Sequence, residues 1–227
     1  MKTAVILGAG GLGCPAALAL RDEARVRGLP LRLVIVDPDR VDRSNLSRQI
    51  LFVDADVGQP KAEVAARKLG AEARVERFEA ATAAQLLRGA DVLLDGTDDF
   101  ATRFLANDEA LARGIPLVHG AVLGWIGQLL AVVPGRTGCL RCLFEGPPPA
   151  GAVPACSEAG VLSPLCGVVG ATMAMAAAQL LDEKKIIFSG ADPRPGVLYR
   201  WDALRGIERP LEVKRDPACA ACAHVAS

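Results

Sequence analysis

The stretch TAVILGAGGLG, residues 3–13, decides the fold. Its apolar run ends in the spacing Gly-x-Gly-x-x-Gly, formed by Gly8, Gly10 and Gly13. The first glycine permits a tight turn, the second lets a phosphate approach the backbone, and the third lets a helix pack closely on the strand. The segment CPAALALRDEARVR, residues 14–27, has a helical composition, and its first N–H groups would face that phosphate. The stretch therefore predicts a strand, a phosphate-binding turn and a helix.

Strands and helices alternate through the rest of the first half. The apolar segments LRLVIVD, DVLLDGTDD, IPLVHGAV and GQLLAVVPG predict strands, and KAEVAARKL and ATRFLANDEALARG predict helices between them. This alternation indicates an α/β fold with a Rossmann-like, doubly wound, largely parallel sheet. Beyond Pro134, residues 145–164 are rich in proline and glycine and predict a long loop. A helix at about residues 165–181 and a strand GVLYRWDA follow, and we expect a C-terminal antiparallel extension of the sheet.

The composition excludes several classes of protein. Lysine plus arginine and aspartate plus glutamate number 26 each, so no global field favours nucleic acid or an anionic membrane. The start lacks the pattern of a signal peptide, and GVVGATMAMAAAQLL, the closest approach to a membrane span, predicts a buried helix instead. We expect a cytoplasmic protein. In that compartment its seven cysteines are metal ligands or reactive thiols rather than disulfides.

Charged residues follow the ends of two predicted strands. Asp37 ends the second strand, where a carboxylate can accept hydrogen bonds from ribose hydroxyls. Arg48 and Lys61 come next, and cations beside phosphates indicate ATP chemistry rather than hydride transfer from a nicotinamide. Asp98 and Asp99 follow a later strand, and a carboxylate there suits Mg²⁺. Taken singly, the cations could be solvated surface charges, and Asp99 could cap the next helix.

The motifs GAGGLG, VDPDRVDRSNLSRQILF, VGQPKAEVA, LDGTDD, CLRC, CSEAGVLSPLCGVVG and CAAC occur in the order typical of E1-like activating enzymes. The chain resembles the MoeB/ThiF/HesA family over nearly its whole length. The resemblance implies an ATP-dependent adenylyltransferase that joins the Gly-Gly carboxylate of a ubiquitin-like sulfur-carrier protein to AMP and releases pyrophosphate. Sulfur transfer of the molybdopterin or thiamin type, a homodimer, Mg²⁺ and Zn²⁺ are also implied.

The resemblance assigns roles by position. The glycine turn (Gly8, Gly10, Gly11 and Gly13) would bind the nucleotide, Asp37 the ribose and Asp98 the Mg²⁺, while the triphosphate would be bound by Asn45, Arg48 and Lys61. It also implies one domain over residues 1–227, with a nucleotide-binding half at 1–134. The half at 135–227 would contain the crossover loop, the zinc site and the carrier-binding surface. Cys156 stands where relatives have a loop cysteine, which is either a covalent nucleophile or persulfide carrier, or an ordinary thiol.

The remaining cysteines form two CxxC pairs. Cys139 with Cys142 and Cys219 with Cys222 supply four thiolates, the ligand set of one tetrahedral structural zinc. A redox function for either pair is disfavoured because neither lies at a recognisable βαβ thiol motif. Cys14 and Cys166 are predicted to be packing residues. His119 and His224 are lone histidines to which the sequence assigns no role.

The sequence departs from the family pattern in three places. Relatives usually carry a segment before the first strand with an arginine that reaches into the partner subunit's ATP site, and we expect that arginine to be missing here. The connection RDEARVRGLPLR is longer than usual and could supply a substitute, and Asp99 stands where relatives often have asparagine. Three alternatives to the sulfur-carrier adenylyltransferase stay open: a partner-dependent E1-like subunit, an E1-like enzyme acting on a tRNA-linked carboxylate, and a nicotinamide dehydrogenase.

Overall fold

The computed structural model of the chain describes residues 1–149, 152, 160–182 and 193–225. The strands are β1 (Lys2–Leu7), β2 (Leu31–Val36), β3 (Glu72–Arg74), β4 (Val92–Asp95), β5 (Leu117–Leu123), β6 (Ile126–Val132), β7 (Val197–Asp202) and β8 (Ile207–Glu212). The α-helices are α1 (Gly13–Val26), α2 (Lys61–Leu69), α3 (Ala80–Leu86), α4 (Phe100–Ala112), α5 (Leu140–Leu143) and α6 (Ser163–Leu181). Two 3₁₀ turns cover Arg43–Asn45 and Asp54–Asp56.

All eight strands form one sheet in the order β3-β2-β1-β4-β5-β6-β7-β8. The first five strands pair in parallel, and β6, β7 and β8 continue the sheet as antiparallel neighbours. The predicted parallel sheet with an antiparallel extension is therefore confirmed. The strand order reverses between β1 and β4, and in open α/β sheets the crevice at such a reversal is where ligands bind.

Four short elements were not predicted from the sequence: β3, α3, α5 and β8. Strand β3 has three residues, and α5 has four. The sequence of β8, IERPLE, lacks the apolar alternation that indicates a strand, and every one of its residues is exposed. It forms through backbone pairing with β7, which a sequence pattern does not record.

Apolar clusters cover both faces of the sheet. One face packs against α1, α2 and α6, and the other packs against α3 and α4. Helix α6 crosses α1 at Gly170, where an added Cβ would lie 2.6 Å from the ring of Pro15 and 2.8 Å from the carbonyl oxygen of Leu12. By length and composition α6 is the one described helix that could span a membrane, but 61% of its apolar window is buried inside the protein. The predicted buried helix is confirmed.

The glycine turn brings α1 against the end of β1. Gly8 has a φ of +86°, a conformation that side-chain-bearing residues rarely adopt. An added Cβ at Gly13 would lie 1.7 Å from the carbonyl oxygen of Gly8, so only glycine allows this approach. Gly10, in contrast, has open space around it.

We expect Gly13→Ala to lower the free energy of unfolding by about 3 kcal/mol, because the methyl group and the Gly8 carbonyl cannot occupy the same space. Gly10→Ala is the matched control and should change the stability by about 1 kcal/mol or less. Denaturant unfolding followed by circular dichroism measures both. Equal stability of the two variants would contradict the packing role assigned to Gly13.

Candidate functional site

A cavity of about 310 Å³ opens at the carboxyl ends of β1, β2 and β4. Its wall contains eight of the residues to which the sequence assigned nucleotide or magnesium binding: Gly8, Gly10, Gly11, Asp37, Asn45, Arg48, Lys61 and Asp98. The fold thus brings these residues together beside the start of α1. Gly13 is outside the set of described residues that line the cavity, because it packs against Gly8 instead.

Asp37 joins the glycine turn to the end of β2. One carboxylate oxygen accepts a hydrogen bond from the backbone N–H of Ala9 at 2.7 Å, and the other accepts from that of Asp39 at 2.8 Å. Burial raises the pKa of Asp37 above its ordinary value, although Lys61 and these two N–H groups act in the opposite direction. The remaining lone pairs of this carboxylate can accept hydrogen bonds from ligand hydroxyls.

The segment after β2 holds Asn45 and Arg48 in a capped turn. Asp42 accepts a hydrogen bond from the backbone N–H of Ser44 at 2.8 Å, and Arg48 donates to the Ser44 carbonyl at 3.2 Å. The Ser44 hydroxyl and backbone N–H lower the pKa of Asp42. The Arg48 stem passes over the glycine turn, since an added Cβ at Gly11 would lie 3.5 Å from its Cγ.

Lys61 is the first residue of α2, and its ammonium group faces the cavity from there. Its Nζ lies 3.1 Å from Asp39 Oδ2, and its backbone N–H donates to the Asp39 carbonyl at 2.9 Å. The Lys61 side chain is 10% exposed, whereas that of Asp39 is 59% exposed. Asp39 was not singled out from the sequence; its place two residues after Asp37 is the signal that could have found it.

The two acids after β4 both line the cavity. Asp99 also caps α4 by accepting hydrogen bonds from the Thr102 N–H and hydroxyl at 2.7 Å each. Burial acts to raise the pKa of Asp99, but the hydrogen bonds from Thr102 and Ala101, with the charge of Arg103, together hold it below its ordinary value. The alternative that Asp99 serves as a helix cap is confirmed.

A buried pair supports the turn that carries Asp98. His119 Nδ1 lies 2.8 Å from Asp95 Oδ2, and the other Asp95 oxygen accepts from the Thr97 N–H and hydroxyl. Arg103 donates two hydrogen bonds to the Thr97 carbonyl. Burial acts to raise the pKa of Asp95, but His119, Arg103 and Thr97 together hold it below its ordinary value. His119, to which the sequence assigned no role, thus helps to fix this turn.

Three cysteines lie outside the two CxxC pairs, and each was assigned its own role from the sequence. Cys14 is buried and donates to the Ala9 carbonyl at 3.3 Å, and burial raises the pKa of its thiol to about 12. Cys166 is buried against Gly11 and lines the cavity. The packing predicted for both is confirmed. Cys156, predicted as the loop cysteine, lies outside the described residues.

The four paired cysteines form one cluster that could hold a metal ion. Their Sγ atoms all lie within 4.8 Å of one another; Cys139 is 3.8 Å from both Cys142 and Cys219, and Cys142 is 3.3 Å from Cys222. Tetrahedral zinc, with Zn–S bonds of about 2.3 Å, places sulfur atoms about 3.8 Å apart. The four-thiolate donor set therefore fits Zn²⁺, and the sulfur separations lie on both sides of that distance.

Two arginines tie the cluster to the rest of the protein. Arg215 donates to the carbonyls of Gly135, Cys222 and Val225, which joins the C-terminal segment to the end of β6. Arg141, inside the first CxxC pair, forms a bidentate ion pair with Asp108 of α4 at 2.8 and 2.7 Å. The cluster therefore connects the tail to α4.

Comparison with known proteins agrees with this geometry. Residues 2–221 match the ThiF family. The chain belongs to the ThiF family. Its sequence is 41% identical to a sulfur carrier protein adenylyltransferase from Thermus thermophilus, over 96% of this chain and 81% of that protein. It is 42% identical to a SAMP-activating enzyme E1 from Haloferax volcanii, over 96% of this chain and 79% of the relative. The family resemblance predicted from the motifs is confirmed, and it places the chain among the E1-like adenylyltransferases.

A solved structure of a more distant protein has the same fold as this ThiF-family chain. MccB of E. coli, solved with ATP, superposes with a TM-score of 0.80 at 20% identity, over 98% of this chain and 67% of MccB. Among longer relatives, adenylyltransferase and sulfurtransferase MOCS3 of Caenorhabditis briggsae is 38% identical, and this chain spans 55% of its length.

We expect the purified chain to contain about one zinc ion, and Cys219→Ser to lose it and to unfold at a lower temperature, because three thiolates leave the tetrahedral site open. Cys14→Ala is the control, since it removes a buried thiol elsewhere and should retain the metal. Elemental analysis and thermal unfolding provide the two measurements. Full zinc content in Cys219→Ser would contradict the assignment.

Proposed function

We propose that the chain uses ATP and Mg²⁺ to adenylate the C-terminal Gly-Gly carboxylate of a ubiquitin-like sulfur-carrier protein. The observation that carries this proposal is the convergence of Asp37, Arg48, Lys61 and Asp98 with the start of α1 around one cavity. The relatives named as sulfur carrier protein adenylyltransferase and SAMP-activating E1 support the choice of a protein carboxylate as second substrate. Sulfur transfer of the molybdopterin or thiamin type is the proposed setting.

In this proposal the ribose of ATP binds beside Asp37, and the triphosphate binds beside Arg48 and Lys61. Asp37, already held by two backbone N–H groups, accepts hydrogen bonds from the ribose hydroxyls. The N-terminal end of α1 directs the positive end of its dipole toward the phosphates. Arg48 and Asn45 contact the triphosphate from the capped turn. Lys61 exchanges its ion pair with Asp39 for one with a phosphate oxygen.

The reaction forms one bond and breaks one bond at the α-phosphorus. A carboxylate oxygen of the carrier attacks, the bond from the α-phosphorus to the bridging oxygen of the β-phosphate breaks, and the electron pair leaves with pyrophosphate. Two anions must approach, and the leaving group gains charge, so Arg48 and Lys61 stabilise the transition state electrostatically. Asp98 would hold Mg²⁺, whose usual ligands are carboxylate and phosphate oxygens. When bound, that ion neutralises phosphate charge.

The zinc-loaded cysteine cluster has a structural function in this proposal. All four ligand positions are occupied by cysteines, which leaves no open site for substrate.

We also propose one adenylation domain over residues 1–227 and a cytoplasmic location. The covalent role of Cys156 stays a prediction.

ATP–pyrophosphate exchange tests the proposal directly. We expect the purified chain to catalyse exchange only when a Gly-Gly-ended sulfur carrier is added. ATP binding without exchange would contradict it and would favour the partner-dependent subunit. Binding of tRNA that weakens as salt rises, with no response to the carrier, would favour the tRNA-linked alternative.

Lys61→Ala should lower the exchange rate about 100-fold, the magnitude typical of losing one electrostatic contact to a transition state. Arg67→Ala is the matched control, because Arg67 lies on the same helix and its side chain is 59% exposed. Thermal unfolding shows whether either variant is folded. Exchange at the original rate in folded Lys61→Ala would overturn the role of Lys61.

We further propose a homodimer. Helix α6 presents an apolar stripe to solvent that includes Val168, 50% exposed, and Met175, 40% exposed. A charge in a paired apolar face would separate two copies. We therefore expect Val168→Glu to convert a dimer into a monomer in sedimentation velocity, while Val26→Glu, at the exposed end of α1, should leave the dimer intact. A wild-type chain that sediments as a monomer would overturn the proposal.

A further inference from the structure

The backbone that leads into Asp98 is fixed from two sides. On one side, the Asp95 carboxylate accepts hydrogen bonds from the Thr97 N–H at 3.1 Å and from the Thr97 hydroxyl at 2.7 Å. On the other, Arg103 of α4 donates from Nε at 3.0 Å and from Nη2 at 2.8 Å to the Thr97 carbonyl. That carbonyl belongs to the peptide bond between Thr97 and Asp98, so the place of Asp98 on the cavity wall depends on both contacts.

The ionisable groups of this network are buried at a cost. Asp95 and His119 lie opposite each other on the neighbouring strands β4 and β5, and their side chains are 0% and 6% exposed. The other residues of β4 are apolar, and a buried ionic pair is often no more stabilising than an apolar pair of similar volume. Arg103 is 8% exposed, with its Cζ 5.1 Å from the ring centre of Phe100. The fold could be built without these charges, which indicates that they serve the turn they hold.

The Asp98 carboxylate itself is left free to bind a ligand. Three other aspartates line the same cavity, and each has a partner: Asp37 accepts two backbone N–H groups, Asp39 is paired with a lysine, and Asp99 caps α4. Within the described part of the chain, the Asp98 carboxylate has neither a hydrogen bond nor an ion pair. A free carboxylate on a fixed backbone fits Mg²⁺, which prefers oxygen ligands in a strict geometry.

We propose that Arg103 and His119 are positioning residues that hold Asp98 in place for Mg²⁺ and thereby set the preference of the site for Mg²⁺ over Ca²⁺. Arg103 acts on the turn directly, and His119 acts through Asp95. This inference rests on the proposed function, since it takes Asp98 as the magnesium ligand. Mg²⁺ requires nearly ideal octahedral geometry, whereas Ca²⁺ accepts irregular geometry, so a fixed carboxylate favours the smaller ion.

Arg103→Met tests the role of Arg103, because it keeps the apolar stem and removes both hydrogen bonds to Thr97. The Kd for ATP is measured by isothermal titration, without carrier, in EDTA and over a series of Mg²⁺ concentrations. Losing a residue that orients a metal ligand typically weakens metal binding by about 10–100-fold, so the half-saturating Mg²⁺ concentration should rise about 10-fold or more. Arg113→Met is the matched control, because Arg113 follows the far end of α4, and it should leave the Mg²⁺ dependence unchanged.

Two further readouts distinguish positioning from a direct contact with ATP. The Kd for ATP in EDTA should equal that of wild type, because Arg103 acts only through the turn. A large rise of that Kd would mean that Arg103 contacts the nucleotide itself and would overturn the proposal. The half-saturating concentration should also rise less for Ca²⁺ than for Mg²⁺, and an equal rise for both ions would overturn the proposed preference.

A pair of substitutions tests His119. His119→Asn keeps an N–H donor close to the position of Nδ1 and should retain the Mg²⁺ dependence of wild type. His119→Leu removes the donor and should shift the Mg²⁺ dependence in the same direction as Arg103→Met. Wild-type dependence in folded His119→Leu would overturn the role of His119. Where thermal unfolding shows that a variant does not fold, Arg103→Lys, which keeps the charge and loses the paired hydrogen bonds, decides the proposal by the same titrations.

Asp98→Asn separates this inference from the proposed function. A shifted Mg²⁺ dependence in Asp98→Asn with wild-type dependence in both the Arg103 and the His119 variants would overturn the positioning roles alone. An Asp98→Asn variant that responds to Mg²⁺ like wild type would overturn the magnesium role of Asp98 and this inference with it. Mg²⁺-dependent ATP binding without carrier-dependent exchange would contradict only the proposed adenylation.

Discussion

The site depends on the close approach of the Gly8 carbonyl and Gly13. Without a Cβ at Gly13, helix α1 begins directly beyond the end of β1, with the glycine turn that precedes it on the cavity wall. Asp37 then joins this turn to β2 through the Ala9 N–H. Because β1 lies where the strand order reverses, the same contact places the start of α1 between the loops that follow β2 and β4.

The cavity and the cysteine cluster are associated with different faces of the sheet. The cavity borders the start of α1 and α2, with Cys166 of α6 on its wall, whereas three of the four paired cysteines are in the apolar cluster on the α3 and α4 face. The cysteine cluster, Arg141 and Arg215 connect the C-terminal segment to that second face. The four-cysteine cluster, which could hold a metal ion, thus joins the C-terminal segment to the face opposite α1 and α2, and the exposed strand β8 forms one edge of the sheet.

Elements with a strong apolar pattern could be predicted from the sequence almost to the residue. The predicted helix KAEVAARKL coincides with α2, and the predicted strand LRLVIVD contains β2. Elements that form through pairing alone, such as β8, could not, because their side chains face solvent. Eight residues on the cavity wall followed from the motifs, yet the ion pair of Lys61 with Asp39 and the support of the Asp98 turn by His119 depend on the tertiary structure. Lys61 and Asp39 are 22 positions apart in the sequence, and His119 and Asp95 lie on different strands.

By itself the sequence determined the α/β class, the glycine turn between β1 and α1, the two CxxC pairs and the family, because each of these is encoded in local spacing or in a fixed order of motifs. Only the tertiary structure decided that Asp99 caps a helix, that His119 pairs with Asp95, and that Lys61 pairs with Asp39. The physical reason is that hydrogen-bond satisfaction and burial depend on which distant segments meet. The identity of a single residue in the sequence therefore does not predict its burial or its hydrogen-bond partners.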